Sequence, residues 1–456
     1  VFDVLLYVLG ILIILVGLAV SIGLHEIGHL VPAKLFGVKV TQYMIGFGRT
    51  IWSRRKGETE YGVKMIPLGG YISMIGMFPP SKPGEAPRES TTGFLNSVVQ
   101  EGAPRRGVAG MVDEARLASA ETIEVGEDSR TFYRLPSWKR IIIMLGGPFM
   151  NLVLAFVFFA IVLCGFGVPQ NSTTLGSVNE CLKSASQSGE TACSANDPEA
   201  PAAAAGLRPG DKILSIDGTS VRDWNAFRDT VSASPGRTLS IEIQRDGETK
   251  QLSLTPVTNT RVVTDANGQT VKNSDGSAKT EQVGMVGATP ASELVQQPIT
   301  EVPGFVGDNV VRVAGVVVGL PQRMVDVWNA AFGPEQRDPN GPMSVVGVGR
   351  LAGEIVSTDA PVAAKAQVMF GLLGSLNVAL FVFNLVPLMP LDGGHVAGAI
   401  YEAIKRGIAR LRRKPDPGPV DTAKMVPITF GVVIVLGAMT VLLVYADLVK
   451  PISFFG

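Results

Sequence analysis

At 456 residues, with a mean hydropathy of +0.29 and 40 basic against 40 acidic side chains, the chain is too long for one ordinary domain and too apolar for a wholly soluble one. The zero net charge is a sum of unlike parts: Lys34 to Arg140 carries 16 Lys/Arg against 11 Asp/Glu, Pro169 to Lys365 carries 16 against 22, and Val396 to Lys424 carries 7 against 3. Because short basic loops stay cytoplasmic, these counts predict four spans with both termini outside; Arg410, Arg412, Arg413 and Lys414 read as an orientation signal, and nucleic acid is not expected as a partner.

The first element runs from Val4 to Leu24 without a charged residue, long enough to cross a bilayer. It lacks a basic leading region and a small-residue cleavage site, so it reads as a retained span, not a cleavable signal. Its inner end carries His25-Glu26-Ile27-Gly28-His29. In a helix the two histidines share one face and can grip a single metal ion, with Glu26 beside them. The bland alternative is a helix end with Glu26 snorkelling to the headgroups, but ionisable groups in a membrane helix are costly and by default functional. The chain has three histidines in all, and two are here. Position 35, where a metzincin would place a third histidine, is Leu35, and no acidic residue lies between Leu30 and Gly57. The third ligand therefore comes from far along the chain.

Gly37 to Met77 alternates apolar and polar residues between glycines and predicts strands and hairpins, apolar enough to dip toward the site and to pair with an extended substrate. Pro79 to Pro136 reads as a loop. The second span, Ile141 to Val168, carries Gly146-Gly147-Pro148, which thins the helix for close packing, and Asn151, which needs a hydrogen bond either as helix glue or in the site. Cys164 reads as a packed thiol. Cys181 and Cys193 fall in a polar segment placed outside, where a disulfide can persist; their spacing leaves the bridge open.

A soluble domain follows. Ala205 to Gly218 reads as a turn, a short strand and an Asp-Gly turn, Val221 to Val231 as an amphipathic helix, and Leu239 to Gln244 with Gln251 to Leu254 as strands. Over Leu175 to Val257 this resembles a PDZ domain of the bacterial protease type, a fold that binds extended peptides by strand addition; Glu180 to Pro201 lengthens one of its loops. Val257 to Ala288 reads as a β-ribbon or linker, and Asn309 to Phe332 as one amphipathic helix against the outer face of the membrane. A third span over Val368 to Leu388 leads into Asn384-Leu385-Val386-Pro387-Leu388-Met389-Pro390-Leu391-Asp392-Gly393-Gly394-His395, and a fourth covers Val426 to Tyr445. Asp392 is the sole acidic residue between Lys365 and Glu402, and so the natural carboxylate for a site of two neutral imidazoles; His395 is the rival. Asn384 is a helix-to-helix hydrogen bonder or a site residue.

These stretches together resemble the site-2 protease family of intramembrane metalloproteases, over most of the chain. The carriers are the HExxH of the first span, the β-loop after it, Gly147-Pro148 with Asn151, the PDZ-like domain, and Asn384 to Gly393 with its Pro and Leu-Asp-Gly pattern. The resemblance implies a polytopic α-helical membrane protein of four transmembrane helices, with a membrane-associated β-hairpin loop and an extracytoplasmic α+β PDZ domain. Its domains would be 1–33, 34–78, 79–137, 138–168, 175–257, 258–365, 366–395, 396–424 and 425–447. It implies Zn2+ held by His25, His29 and Asp392, Glu26 as general base, and Asn384, with Asn151 beside it, positioning substrate near the cytoplasmic face. Substrates would be single-span membrane proteins, commonly anti-sigma factors already trimmed outside by an upstream site-1 protease, or signal-peptide remnants. A housekeeping peptidase and a catalytically silent PDZ scaffold are the rival functions.

Overall fold

The computed structural model describes residues 2–78, 127–182, 193, 198–263, 270–271, 273, 277–334, 337–338 and 341–452. Most of the expected 79–137 loop, the Asn267-Gly268 and Asp275-Gly276 turns, and most of the Glu180 to Pro201 insertion lie outside the described residues. The chain divides into one unit of 1–166 with 298–456 and a second of 167–297.

The apolar N-terminal run forms one helix, α1 (Phe2–Leu35), about 51 Å long at 1.5 Å per residue and so longer than the ~30 Å hydrocarbon core. Two strands follow, β1 (Val40–Lys56) and β2 (Thr59–Met74). They are long but not straight: Gln42 faces both Ser73 and Glu60, and Met44 faces both Tyr71 and Gly62. The first half of β1 is thus sandwiched between the two ends of β2, while Thr50 to Lys56 pairs back with Thr59 to Lys64. The strands and hairpins expected over Gly37 to Met77 are two long bent strands, the bend in β1 falling at Gly46 and Gly48, both at positive φ. Leu30, Tyr43, Ile72, Met74, Ile143 and Met144 form a core that fastens this sheet to the inner end of α1 and to α2 (Ser137–Ala160), which runs on through a π-helical turn over Ile161–Phe166.

The second unit contains β3 (Val168–Val178), α3 (Pro201–Ala204), β4 (Lys212–Ile216), β5 (Thr219–Ser220), α4 (Trp224–Ser232), β6 (Leu239–Arg245), β7 (Glu248–Leu254), β8 (Val257–Val262), β9 (Thr280–Met285) and β10 (Ala288–Val295). Its sheet order is β10-β3-β4-β6-β7, around a core of Leu175, Ile213, Phe227, Leu239, Ile241, Ile243 and Leu254. The Asp217-Gly218 and Asp246-Gly247 turns both sit at positive φ, as Asp-Gly turns predict. Asp223 caps α4 by accepting from the Ala226 amide at 2.8 Å. The expected boundary at Val257 is too early: β8 and β9 form a ribbon, and β10 returns as an edge strand of the same sheet, its mixed polar sequence hiding it from pattern reading. Cys181 and Cys193 are joined in a disulfide.

Back in the first unit come α5 (Glu301–Val318), α6 (Leu320–Phe332), α7 (Val345–Ser357), α8 (Val362–Asn384), α9 (Asp392–Leu411) and α10 (Val426–Val449). Instead of one helix over Asn309 to Phe332 there are two, bent by 70° at Gly319, because Pro321 cannot continue the backbone ladder of α5. The third span, expected over Val368 to Leu388, ends at Asn384, and after the segment of prolines that breaks it Asp392 opens α9. The expected basic loop over 396–424 is helical as far as Leu411. Among the described residues four helices, Asp3–Leu35, Ser137–Phe166, Val362–Asn384 and Thr422–Val449, are long and apolar enough to cross a membrane, and the chain is a multi-pass membrane protein. Asn377 ties α8 to α1, donating to the Ser21 hydroxyl at 3.0 Å in a buried position.

Candidate metal centre

The four-residue spacing brings the ring nitrogens of His25 and His29 together on one face of α1, with Nε2 atoms 3.2 Å apart. Asp392 Oδ2 lies 3.4 Å from the first and 3.3 Å from the second. Zinc bonds of 2.0–2.1 Å at tetrahedral angles separate ligand atoms by about 3.4 Å, so this near-equilateral triangle has the dimensions of three corners of a zinc tetrahedron. Asp392 Oδ2 is buried and has no hydrogen-bond partner, as a carboxylate oxygen kept for a cation would be. His25, His29 and Asp392 are the one group of metal-ligating side chains found among the described residues; His395 lines the same cavity but is not part of it.

Glycine makes the approach of α2 to this face possible. A methyl on Gly28 would overlap the Gly146 carbonyl, and one on Gly146 would overlap that of Gly28, so the helices meet backbone to backbone. At the next residue, a methyl on Gly147 would overlap His29 Nε2 and stand 2.7 Å from His25 Nε2. The close crossing places two α2 groups on the imidazoles. His29 Nδ1–H donates to the Ile143 carbonyl at 2.7 Å, which fixes the tautomer and leaves Nε2 free. The Asn151 amide lies 2.9 Å from His25 Nδ1 through Nδ2, while its buried Oδ1 has no partner. Turning the amide over lets Oδ1 accept from Nδ1–H and frees His25 Nε2 in the same way.

The β-sheet closes another side. Gly70 abuts Glu26, whose Cγ would be 2.9 Å from an added methyl, and the Ile72 backbone amide lies within hydrogen-bonding reach of the Glu26 carboxylate. His25, Glu26 and His29 are each 9% exposed or less. Gly70, Ile72, Met74, Met144, Asn384, Pro390 and His395 line the cavity with them. Asn384 is therefore on the cavity wall, and Asn151 is behind His25. The LDGG sequence explains how Asp392 arrives: a side chain on Gly393 would strike the Val386 and Leu385 carbonyls, and one on Gly394 the Leu388–Met389 backbone, so only glycines let the proline-broken loop fold onto the start of α9.

Sequence reasoning did not find the Ile143 carbonyl, the Gly70 and Ile72 contacts with Glu26, or the Asn377–Ser21 bond. A backbone acceptor leaves no sequence signal; Asn377 did, as a second asparagine within the third span.

The profile of peptidase family M50 matches residues 13–415. The zinc metalloprotease Rip1 of Mycobacterium tuberculosis strain H37Rv is 30% identical over 454 residues, covering 99% of this chain and 100% of the relative. Rip1 of Mycolicibacterium smegmatis is 32% identical, with 98% and 99% covered. The regulator of sigma-W protease RasP of Bacillus subtilis is 25% identical, with 84% and 87% covered.

Proposed function

Because the chain belongs to peptidase family M50, the site-2 protease family, and is a zinc metalloprotease, we propose that it hydrolyses peptide bonds within or near the membrane segments of single-span proteins, using His25, His29 and Asp392 as zinc ligands and Glu26 as general base. The observation that carries this reading is the 3.2, 3.4 and 3.3 Å triangle of ligand atoms, whose buried carboxylate oxygen accepts no hydrogen bond.

When bound, zinc supplies a Lewis acid that brings the pKa of water toward neutrality. Glu26 takes a proton from the attacking water and delivers it to the leaving amine. Its place beside both imidazoles and under Gly70 gives it a short path to either partner and excludes bulk water. A helical substrate hides its carbonyls, so a stretch must unwind, and the β2 segment that passes Glu26 offers backbone groups to hold it extended. Asn384 on the cavity wall binds the freed substrate backbone. Asn151 acts on His25, orienting the ring.

The β-rich unit supports a PDZ reading in its sheet, capped helix and Asp-Gly turns. In that role it lies outside the cell, with both termini, and admits substrates whose outer part has been removed by a first protease. The sigma-W name of RasP favours anti-sigma factors over signal-peptide remnants as substrates. Membrane proteomics of a Glu26→Gln strain tests this: accumulation of trimmed single-span proteins is expected, accumulation of signal-peptide remnants alone assigns housekeeping, and no accumulation removes the proteolytic role. Zinc content of Asp392→Asn, measured beside it, is expected to fall, and full retention refutes the ligand assignment.

A further inference from the structure

The helix that begins with Asp392 presents two unlike faces. Inward, Ala399 and Glu402 are buried, and Glu402 accepts hydrogen bonds from Arg140 of α2 and from the Val420 amide at 3.0 Å. Outward, Ile400, Tyr401, Ile404, Ile408 and Leu411 fall within an arc of about 100° at 3.6 residues per turn. They are 45%, 60%, 56%, 47% and 85% exposed, too apolar a stripe to face water. Lys405 and Arg410 flank the stripe on either side, and Arg412, Arg413 and Lys414 continue it past the helix end; all five are exposed and without an ion-pair partner among the described residues. Arg406, by contrast, turns back to Glu402 and Asp416.

An apolar stripe bordered by free cations is the pattern of a helix lying in a bilayer interface, its hydrocarbon side in the acyl boundary and its bases on phosphates. We infer that α9 docks on an anionic lipid surface through this stripe and these five bases. Charge complementarity selects the partner: neutral lipid would satisfy the isoleucines alone, while the unpaired bases call for negative headgroups. Since Asp392 occupies the first turn of the same helix, and Glu402 pins the helix to the span that carries Gly147, docking fixes the carboxylate relative to the two imidazoles. Lipid docking stands independently of the metal reading; only its effect on cleavage rests on that reading.

The test uses the full chain in nanodiscs of phosphatidylcholine alone or mixed with phosphatidylglycerol, with hydrogen exchange of residues 400–411 and cleavage of a membrane substrate both measured. Each cation near an anionic surface is worth about fivefold in partitioning, so several-fold slower exchange and faster cleavage are expected with phosphatidylglycerol. Changing Lys405, Arg410, Arg412, Arg413 and Lys414 to Gln should abolish the difference while leaving melting temperature and zinc content unchanged. Equal exchange in the two lipids overturns the inference, as does a lipid effect that survives the five substitutions. Protection that follows the number of chains per disc instead of lipid charge overturns it in favour of a second copy. Slower exchange without faster cleavage retains the docking and overturns its link to Asp392.

Discussion

Gly147→Ala is the smallest change that addresses the centre itself. The added methyl overlaps His29 Nε2 and stands 2.7 Å from His25 Nε2, against an ordinary contact of about 3.5 Å. Relief requires α2 to retreat from α1 by more than an ångström, but the Gly28–Gly146 crossing is already backbone on backbone, and retreat opens a gap there. Overpacking of this kind costs about 1–3 kcal/mol, and the methyl occupies the space between the donor atoms. Losing one supporting contact to a ligand costs roughly 10–100-fold in metal affinity, so blocking the face should cost at least ~100-fold. Zinc per chain after equilibration with a zinc buffer, measured alongside cleavage and thermal unfolding, reads the effect. The matched control is Gly371→Ala in α8, where nothing lies within 4 Å and alanine's helix propensity gains up to about 1 kcal/mol. If Gly147→Ala keeps wild-type zinc and cleavage, α2 does not approach the imidazoles as described, and the account of the crossing is wrong.

Two further outcomes follow from other contacts. Asn151→Ala removes the amide behind His25 Nδ1 and should lower zinc affinity about 10–100-fold with little change in unfolding temperature; an unchanged zinc titration would make Asn151 mere helix glue. In the β-rich unit, burial pushes the Asp211 carboxyl up, but Arg245, bonded to both oxygens at 2.7 Å, and the Arg208 amide outweigh it and hold the group below its ordinary value. A depressed carboxyl stabilises the fold above its unfolded value of about 3.9 and loses that contribution as pH falls below it. Hydrogen exchange of β4 and β6 in the full chain should accelerate below pH 4, and Asp211→Asn should lose about 3 kcal/mol of protection near neutrality. Flat protection through the acid range would refute the pairing.

What the sequence revealed followed from physical rarity. Two of three histidines in an apolar run, and a single carboxylate after the third span, stand out because charge is costly in lipid, so His25, His29 and Asp392 could be paired across more than 360 positions before any geometry was known. Gly146-Gly147 announced a close crossing, but not that its object is a pair of imidazoles, since sequence shows that a side chain is missing and not what fills the space. Periodicity failed where an element serves two neighbours. β1 and β2 alternate as several short strands would because they are long and bent, β1 at Gly46 and Gly48, and β10 escaped notice because an edge strand need bury little. The loop expected over 396–424 is the same error reversed: its bases suggested orientation, while the Ile400, Ile404 and Ile408 spacing, a helical signal, went unread.

The break between α8 and α9 shows why such a centre needs irregular backbone. A carboxylate in the middle of a straight span would share that span's rigid register, and moving it toward the histidines would move the whole helix. At the start of a separate helix it is aimed by a loop whose Pro387, Pro390, Gly393 and Gly394 fix its path, and it sits at the end where the helix dipole favours negative charge. Irregular backbone of this sort is tolerated at membrane depth only where it is covered by protein or lines a cavity, and here it does the latter, with Pro390, Asp392 and Asn384 on one wall. The polar backbone that lipid would penalise is therefore placed at the cavity, so the same break that aims Asp392 also builds one wall of it.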